Sequence, residues 1–449
     1  MDTKITQVSP VEYQLEITAT ADDLAPEFNK ALKQQQARTT LKGFRPGKVP
    51  LPLVKKLVGR ELAYSLADQA VQRAYEEEVM QPGEHQVLGQ PTITELDYEP
   101  DGDLRAVVTF GVRPQFELAD LSEATVPVLT HTVSDDELEE AIQNFLTEQA
   151  DLVPVEDEAA GPKDYVVFDV QELDAETRTP VIGKRDEDQA LFLDDERLED
   201  DPMMAALRDA LVGARPGDTV RFHFEHDAAH GEHTHAHTHY FLADVKEVKR
   251  RDLPELDDAF VEEATGGRIT TVEAFRTDFR RQLDGMWERR RRELREAELM
   301  QAVREHNPIP VPPSAVEIVL DSFVEDVKRR NEGELPPNFR EDVFREVNRV
   351  EAEQQARWVL LHDRIVEDAG LAVTDDDFAA FFEQEAKGDD DVSAEQLQQL
   401  YRQIPQLMDQ LRQRLLSQKV FDWLAGQVTL EERDWETYRA ELEARQQEA

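Results

Sequence analysis

Between Phe28 and Arg60 the chain carries nine basic residues, Lys30, Lys33, Arg38, Lys42, Arg45, Lys48, Lys55, Lys56 and Arg60, and no acidic one. The whole chain has a formal charge of -46, so this segment is +9 and the remainder -55. Its centre is Gly43-Phe44-Arg45-Pro46-Gly47-Lys48-Val49-Pro50. Gly43 and Gly47 permit backbone angles that a β-carbon forbids, while Pro46 and Pro50 stiffen the tip. A stiff tip loses little entropy on docking. Arg45 can fork onto a carboxylate or phosphate, Lys48 acts as a compact point charge, and Phe44 supplies an apolar anchor. The chemistry this implies is recognition of a negatively charged surface, with no bond made or broken. Gly43, Phe44, Arg45, Gly47, Lys48 and Pro50, with Lys42 and Arg38 beside them, are the candidate docking residues.

A second cluster suits metal. Seven of the eleven histidines fall between residues 223 and 239, ending in His233-Thr-His235-Ala-His237-Thr-His239. In an extended strand, alternate residues share a face about 6.5–7 Å apart, and two imidazoles there can converge on one ion. Nickel or zinc binding by His233, His235, His237 and His239 is expected as an adventitious property, with no required cofactor. No helical His-Glu-x-x-His accompanies the tract, so catalytic zinc is not indicated, and no Walker-type phosphate loop occurs. No catalytic residue is assigned.

At 449 residues the chain is expected to form two to four domains. Without cysteine it has neither disulfides nor thiolate metal sites. The opening Met-Asp-Thr-Lys lacks the pattern of a signal peptide, and no window approaches the roughly 18 apolar residues of a membrane span. A cytoplasmic protein is expected, with no membrane partner and no DNA. The acidity suggests a host with a salty interior, because so large a charge repels itself unless salt screens it.

The elements that must hold these clusters follow from periodicity. Residues 11–19 alternate as a half-buried strand, and 21–38 read as a helix with acids first and bases last. The bend follows. Residues 50–58 and 61–79 then read as two helices broken at Gly59. Residues 93–98 and 104–112 flank a turn as a hairpin, and an α+β domain closes at Arg113-Pro114. A strand at 126–131 and a helix capped by Ser134 precede a linker at 155–162. Between 163 and 249 short strands dominate, at 166–170, 219–224 and 240–248. After Asp252 the chain is helical, with capping boxes expected at Thr270–Glu273, Ser314–Glu317, Ser393–Gln396 and Thr429–Glu432. The arginines at 289–292 and Arg295 are expected to pair along a solvated helix face with Glu288, Glu293 and Glu296.

The loop from Gly43 to Pro50 resembles the signature loop of the trigger factor family, bacterial ribosome-associated chaperones. The order of parts is also similar, as are Asp252-Leu-Pro-Glu-Leu-Asp-Asp-Ala-Phe260 and Asn307-Pro-Ile-Pro-Val-Pro-Pro313. The resemblance implies an α+β multidomain fold: an α+β ribosome-binding domain (1–114), a linker strand and helix (115–154), a small FKBP-like β domain (155–250) and a long-helix chaperone domain with arms (251–449). It implies docking on the ribosome at the tunnel exit, against a ribosomal protein and rRNA phosphate. It further implies ATP-independent capture of nascent polypeptides, and it allows a homodimer off the ribosome.

The family's third implication is prolyl isomerase activity, which needs an apolar pocket favouring the twisted amide over a barrier of ~18–20 kcal/mol. The family signals that pocket by aromatic-Thr-Gly and Ile-Pro-Gly-aromatic segments. Here those places hold Val170-Gln171-Glu172 and Met204-Ala205-Ala206-Leu207. Phe168, Phe192, Met204 and Leu207 could line a degenerate pocket and are equally good core residues. Weak or lost isomerase activity is therefore expected. The alternatives are a fully active isomerase, or a metal-binding chaperone that uses the histidine tract.

Overall fold

The computed structural model describes residues 1–449 apart from 43, 46, 82, 99–101, 231–232, 387–392 and 449; at 226–230, 233–237 and 446–448 it describes the backbone alone. The chain forms two compact units, one of Met1–Thr130 with Arg291–Ala449 and one of His131–Arg290.

The first unit begins with strands β1 (Asp2–Ser9) and β2 (Glu12–Ala19), helices α1 (Ala21–Arg38) and α2 (Leu51–Tyr75), strands β3 (Thr92–Tyr98) and β4 (Leu104–Gly111), and the separate strand β5 (Thr125–Leu129). The first four strands form an antiparallel sheet in the order β1-β2-β4-β3. Alternation along β2 buries Leu15, Ile17 and Ala19, and the register sets Leu15 beside Val108 and Ile17 beside Ala106 of β4. Ala67, Val71 and Ala74 of α2 close this core. Small residues on the helix let it lie close to the sheet.

Two local expectations change here. Strand β1 was not anticipated from the sequence. The break at Gly59 does not occur, and α2 runs on to a π-helical turn at Glu76–Met80. Gly59 is buried against α1, and a β-carbon there would sit 3.0 Å from Lys55 Cγ and 3.8 Å from Phe28 Cζ. Close packing of the two helices outweighs the ~1 kcal/mol that glycine costs in a helix.

The second unit holds α3 (Asp135–Glu148), β6 (Asp151–Pro154), β7 (Tyr165–Leu173), β8 (Pro180–Phe192), α4 (Pro202–Leu211), β9 (Thr219–His230), β10 (His233–Asp252), α5 (Asp258–Ala264) and the start of α6 (Val272–His306). Its sheet runs β6-β10-β7-β8, with β9 also paired to β10. Val166, Phe168, Leu207, Leu211 and Val245 form the core beneath it. A second core joins Leu138, Ile142 and Leu146 of α3 to Val261 and Phe275. Residues 155–162, expected as a linker, are pinned by backbone: Val155 N–H donates to Val248 C=O of β10 (2.8 Å) and Ala160 N–H to Ala214 C=O in the turn between α4 and β9 (2.8 Å).

Asp169 of β7 is buried yet charged. It accepts from Lys246 Nζ at 2.5 Å, Arg185 Nη2 at 2.7 Å and Asp188 N–H at 2.8 Å. Burial by itself would raise its carboxyl, but these donors outweigh burial and lower it to about 2. The stabilisation is fully present above the unfolded value of ~3.9 and is lost as pH falls through about 2. Asp169→Asn is therefore expected to lower the denaturant midpoint at neutral pH, with the gap to wild type closing below about pH 4. A gap independent of pH would contradict this account.

The first unit resumes with α7 (Pro313–Arg330), α8 (Glu341–Ala369), α9 (Asp375–Ala386), α10 (Ala394–Gln403), α11 (Pro405–Ala425), β11 (Thr429–Arg433) and α12 (Trp435–Glu448). Leu121 and Val126 join Leu299, Leu361, Ile365, Phe421 and Leu424 in one core, so segments far apart in sequence share it. Of the four expected capping boxes, Ser393 with Gln396 forms as expected. Thr271 rather than Thr270 caps α6, accepting from Ala274 N–H at 3.3 Å. Ser314 donates instead to Leu88 C=O, and α7 starts on Pro313. Thr429 opens a strand that pairs in parallel with β5; Asp434 then caps α12 by accepting from Thr437 N–H at 2.9 Å. The arginine run 289–292 makes none of its expected ion pairs among the described residues. Arg289, Arg290 and Arg292 are exposed, and Arg295 reaches Asp422 at 3.5 Å.

Candidate docking site

The basic segment occupies the end of α1, the loop between α1 and α2, and the first turns of α2. Helix α1 starts at a capping box between Thr20 and Asp23, and Arg73 of α2 holds Glu27 of α1 at 2.9 Å. Between the helices a small separate core forms. Val49, fully buried, packs with Leu32 and Val54, and Phe28, Leu41, Leu51 and Val58 surround them. Gln36 Nε2 donates to Val49 C=O at 2.6 Å, so α1 holds the loop's exit by the Val49 carbonyl as well as by its buried side chain.

Above that anchor the tip is shaped by its own backbone. Phe44 N–H donates to Leu41 C=O (3.0 Å), Lys48 N–H to Arg45 C=O (2.9 Å) and Gly47 N–H to Thr39 C=O (3.3 Å). Gly47 has φ +74°, and a β-carbon would come within 3.2 Å of the Ala37 carbonyl oxygen. Both the left-handed angle and the close approach require glycine. Gly43 and Pro46 lie outside the described residues.

The result is an outward-facing tip. All nine basic residues of the segment are exposed. Lys55 Nζ sits over the Phe28 ring at 5.5 Å and Arg60 lies 5.8 Å from the Tyr64 ring centre. Among the described residues, Arg38, Lys42, Arg45 and Lys48 come within ion-pair distance of no carboxylate of this chain. Phe44, a large apolar side chain, is 42% exposed. An exposed aromatic ring and several unpaired cations on one bend have the chemistry to meet an anionic surface.

Two exposed side chains on α2 were not singled out from the sequence. Leu57 and Tyr64 of α2 are 54% and 37% exposed, and with Arg60 they stand at i, i+3 and i+7 on one helix face. That spacing of apolar residues around cations was readable, but whether it faced core or water was not. The candidate isomerase residues fall elsewhere. Phe168 and Leu207 are buried in the sheet's core with Met204 at its margin, and Phe192 packs on Tyr165 (ring centres 4.6 Å) with Arg251 4.3 Å from its ring. Of the metal candidates, His233, His235 and His237 lie outside the residues whose side chains are described, and the His239 ring stacks on Phe224 at 5.2 Å.

Comparison with known proteins places this architecture. The family model described as bacterial trigger factor protein matches residues 1–145, and that for the trigger factor C-terminus matches residues 271–426. The chain is 43% identical over 450 residues to the trigger factor of Salinibacter ruber, covering 98% of this chain and 96% of that protein. It is 34% identical over 389 residues to the trigger factor of Chloroherpeton thalassium, covering 86% and 88%. A solved structure of the trigger factor chaperone aligns with 94% of this chain and 99% of its own, at 21% identity and a TM-score of 0.44. Matched by family models at both ends and by relatives along nearly its full length, the chain belongs to the bacterial trigger factor family of ribosome-associated chaperones.

Proposed function

We propose that this chain docks through Phe44, Arg45 and Lys48 on the ribosome near the tunnel exit, against ribosomal-protein carboxylate and rRNA phosphate, and shields emerging polypeptides with its helical region. The observation that carries this reading is the exposure of an aromatic ring and free cations on the stiff α1–α2 loop of a chain with net charge -46. Capture and release follow binding equilibria, with no nucleotide hydrolysed. On α8, Val343, Val347 and Val350 stand at i, i+4 and i+7; the last two are 73% exposed. Such a stripe suits an extended apolar client segment, and away from the ribosome it suits a homodimer. The division into parts at 1–114, 115–154, 155–250 and 251–449 belongs to the same proposal, as does a cytoplasmic location. No helix among the described residues is long and apolar enough to cross a membrane.

Cosedimentation with purified ribosomes tests the docking. The pelleted fraction is expected to fall steeply as salt rises from about 50 to 200 mM, since each phosphate contact releases counterions. A salt-independent fraction, or none at any salt, removes the reading.

For residues 155–250 the same proposal includes weak or lost prolyl isomerase activity. Burial of Phe168 and Leu207 in the core, and the packing of Phe192 between Tyr165 and Arg251, leave these side chains committed. With a proline-containing tetrapeptide the full chain is expected to accelerate isomerisation little above the uncatalysed rate of tens to hundreds of seconds. Rapid turnover would instead support an active isomerase.

A further inference from the structure

We propose that the open edge of β3 is a docking site for an extended polypeptide segment in which apolar residues alternate with lysine or arginine, added as a fifth strand to the first sheet. The inference goes beyond the loop and helical-region readings and rests on neither. β3 ends the order β1-β2-β4-β3, so β4 pairs one row of its backbone groups and no strand among the described residues pairs the other. Such a row is a template for another chain. β1 is an edge as well; what sets β3 apart is the chemistry of its two faces.

Directly opposed residues of an antiparallel pair share a face. Ile93 stands opposite Val108, Leu96 opposite Ala106 and Tyr98 opposite Leu104, which places all three on the side of the sheet that carries α2. Yet Ile93 is 39% and Leu96 46% exposed. Helix α2 packs over β2 and β4 and meets β3 at its end, where the Tyr64 ring stands edge-on to Tyr98 with centres 5.9 Å apart. Ile93, Leu96 and Tyr64 therefore form an apolar shelf beside an unpaired backbone. The other face is anionic. Glu95 stands opposite Val107 and Asp97 opposite Arg105, and Thr94 Oγ1 lies 3.2 Å from Thr109 Oγ1. Glu95 and Asp97 are exposed, and neither comes within ion-pair distance of a cation among the described residues.

These faces choose the occupant. A second copy of β3 paired in register would set carboxylates against carboxylates, and like charges opposed across strands destabilise. A segment with lysine or arginine across from Glu95 and Asp97, and an apolar residue between them against Leu96, meets opposite charge on one face and apolar surface on the other. β3 is seven residues long, so the segment it pairs is roughly as long. Main-chain bonds supply affinity with little demand on sequence, and alternate side chains supply the selectivity.

The experiment is amide hydrogen exchange of the full chain with a seven-residue peptide alternating valine and lysine. Exchange at Thr92–Tyr98 of the wild type is expected to slow as peptide is added, and the concentration for half protection gives the affinity. N-methylating alternate peptide amides removes main-chain bonds and keeps every side chain; it should weaken binding about tenfold or more. Glu95→Lys/Asp97→Lys should weaken the lysine peptide about fivefold or more and strengthen its valine–glutamate counterpart. Leu96→Lys should also weaken the lysine peptide, whereas Val8→Lys on the opposite edge should change nothing. Equal affinity for methylated and unmethylated peptides overturns the added strand, and protection indifferent to the charge exchange overturns the choice of occupant. No protection at about 1 mM peptide overturns both. A concentration-dependent dimer protected at β3 without peptide overturns the proposal in favour of a second copy. The peptide comparison on wild type decides even where a variant melts early.

Discussion

Alanine at Phe44, Arg45 and Lys48 together is expected to lower ribosome affinity by about 100-fold or more while leaving the melting temperature of the chain unchanged. A buried aromatic hot spot is worth ~2 kcal/mol or more when truncated, about 30-fold, and a forked arginine contact adds comparably. The contributions do not sum fully, since all three sit on one short tip. Folding is spared because the tip projects from its anchor: Val49, Leu32 and Val54 stay buried, and Gln36 still holds the Val49 carbonyl. Exposed substitutions of this kind stay within about 0.5 kcal/mol. The single variants separate the two forces. At about 1 M salt the Debye length is near 3 Å, so Arg45→Ala and Lys48→Ala should matter less there, and Phe44→Ala should keep its full effect. Undiminished pelleting of the triple variant, with a normal melting curve, would end the case for docking by this loop.

The second large effect expected is a rise in stability with salt. The chain holds 97 acidic against 51 basic residues. Many arginines already serve several carboxylates at once: Arg345 contacts Glu317, Asp321 and Glu341, and Arg250 contacts Asp164 and Glu158. Salt weakens such pairs, but exposed pairs contribute only ~0–1 kcal/mol each. It also screens the repulsion of 46 surplus charges, which is collective and grows with every carboxylate brought into the folded chain. The second term should win. In a unit of this size each kilocalorie recovered raises the melting temperature by roughly 2–4 °C, so a rise of about ten degrees between dilute buffer and molar potassium chloride is expected by calorimetry. A melting temperature indifferent to salt would refute the inference of a salty host interior.

The candidate docking loop was legible early because its signals are local. Glycine at a left-handed angle, proline stiffening and a run without carboxylates are properties of neighbours in sequence, and Gly47 behaves as read. Helix α1 likewise begins and ends where its charges predict, over Ala21–Arg38. The failures have the opposite character. Gly59 reads as a break until the helix packed against it is known. Ser314 and Thr429 carry capping-box spacing, yet one meets the Leu88 carbonyl and the other the open edge of β5. Strand β8 has mostly exposed residues, so it offers no alternation to detect.

From the chain alone came the charge island, the candidate docking residues, the α+β multidomain class and the histidine alternation on one strand, since each depends on residues within one element or turn. Tertiary structure decided which of the basic and apolar side chains face water. It also decided that residues 121–126 share a core with helices near the C-terminus. That core depends on partners as much as three hundred residues away, and burial and strand register are properties of pairs that no local pattern contains.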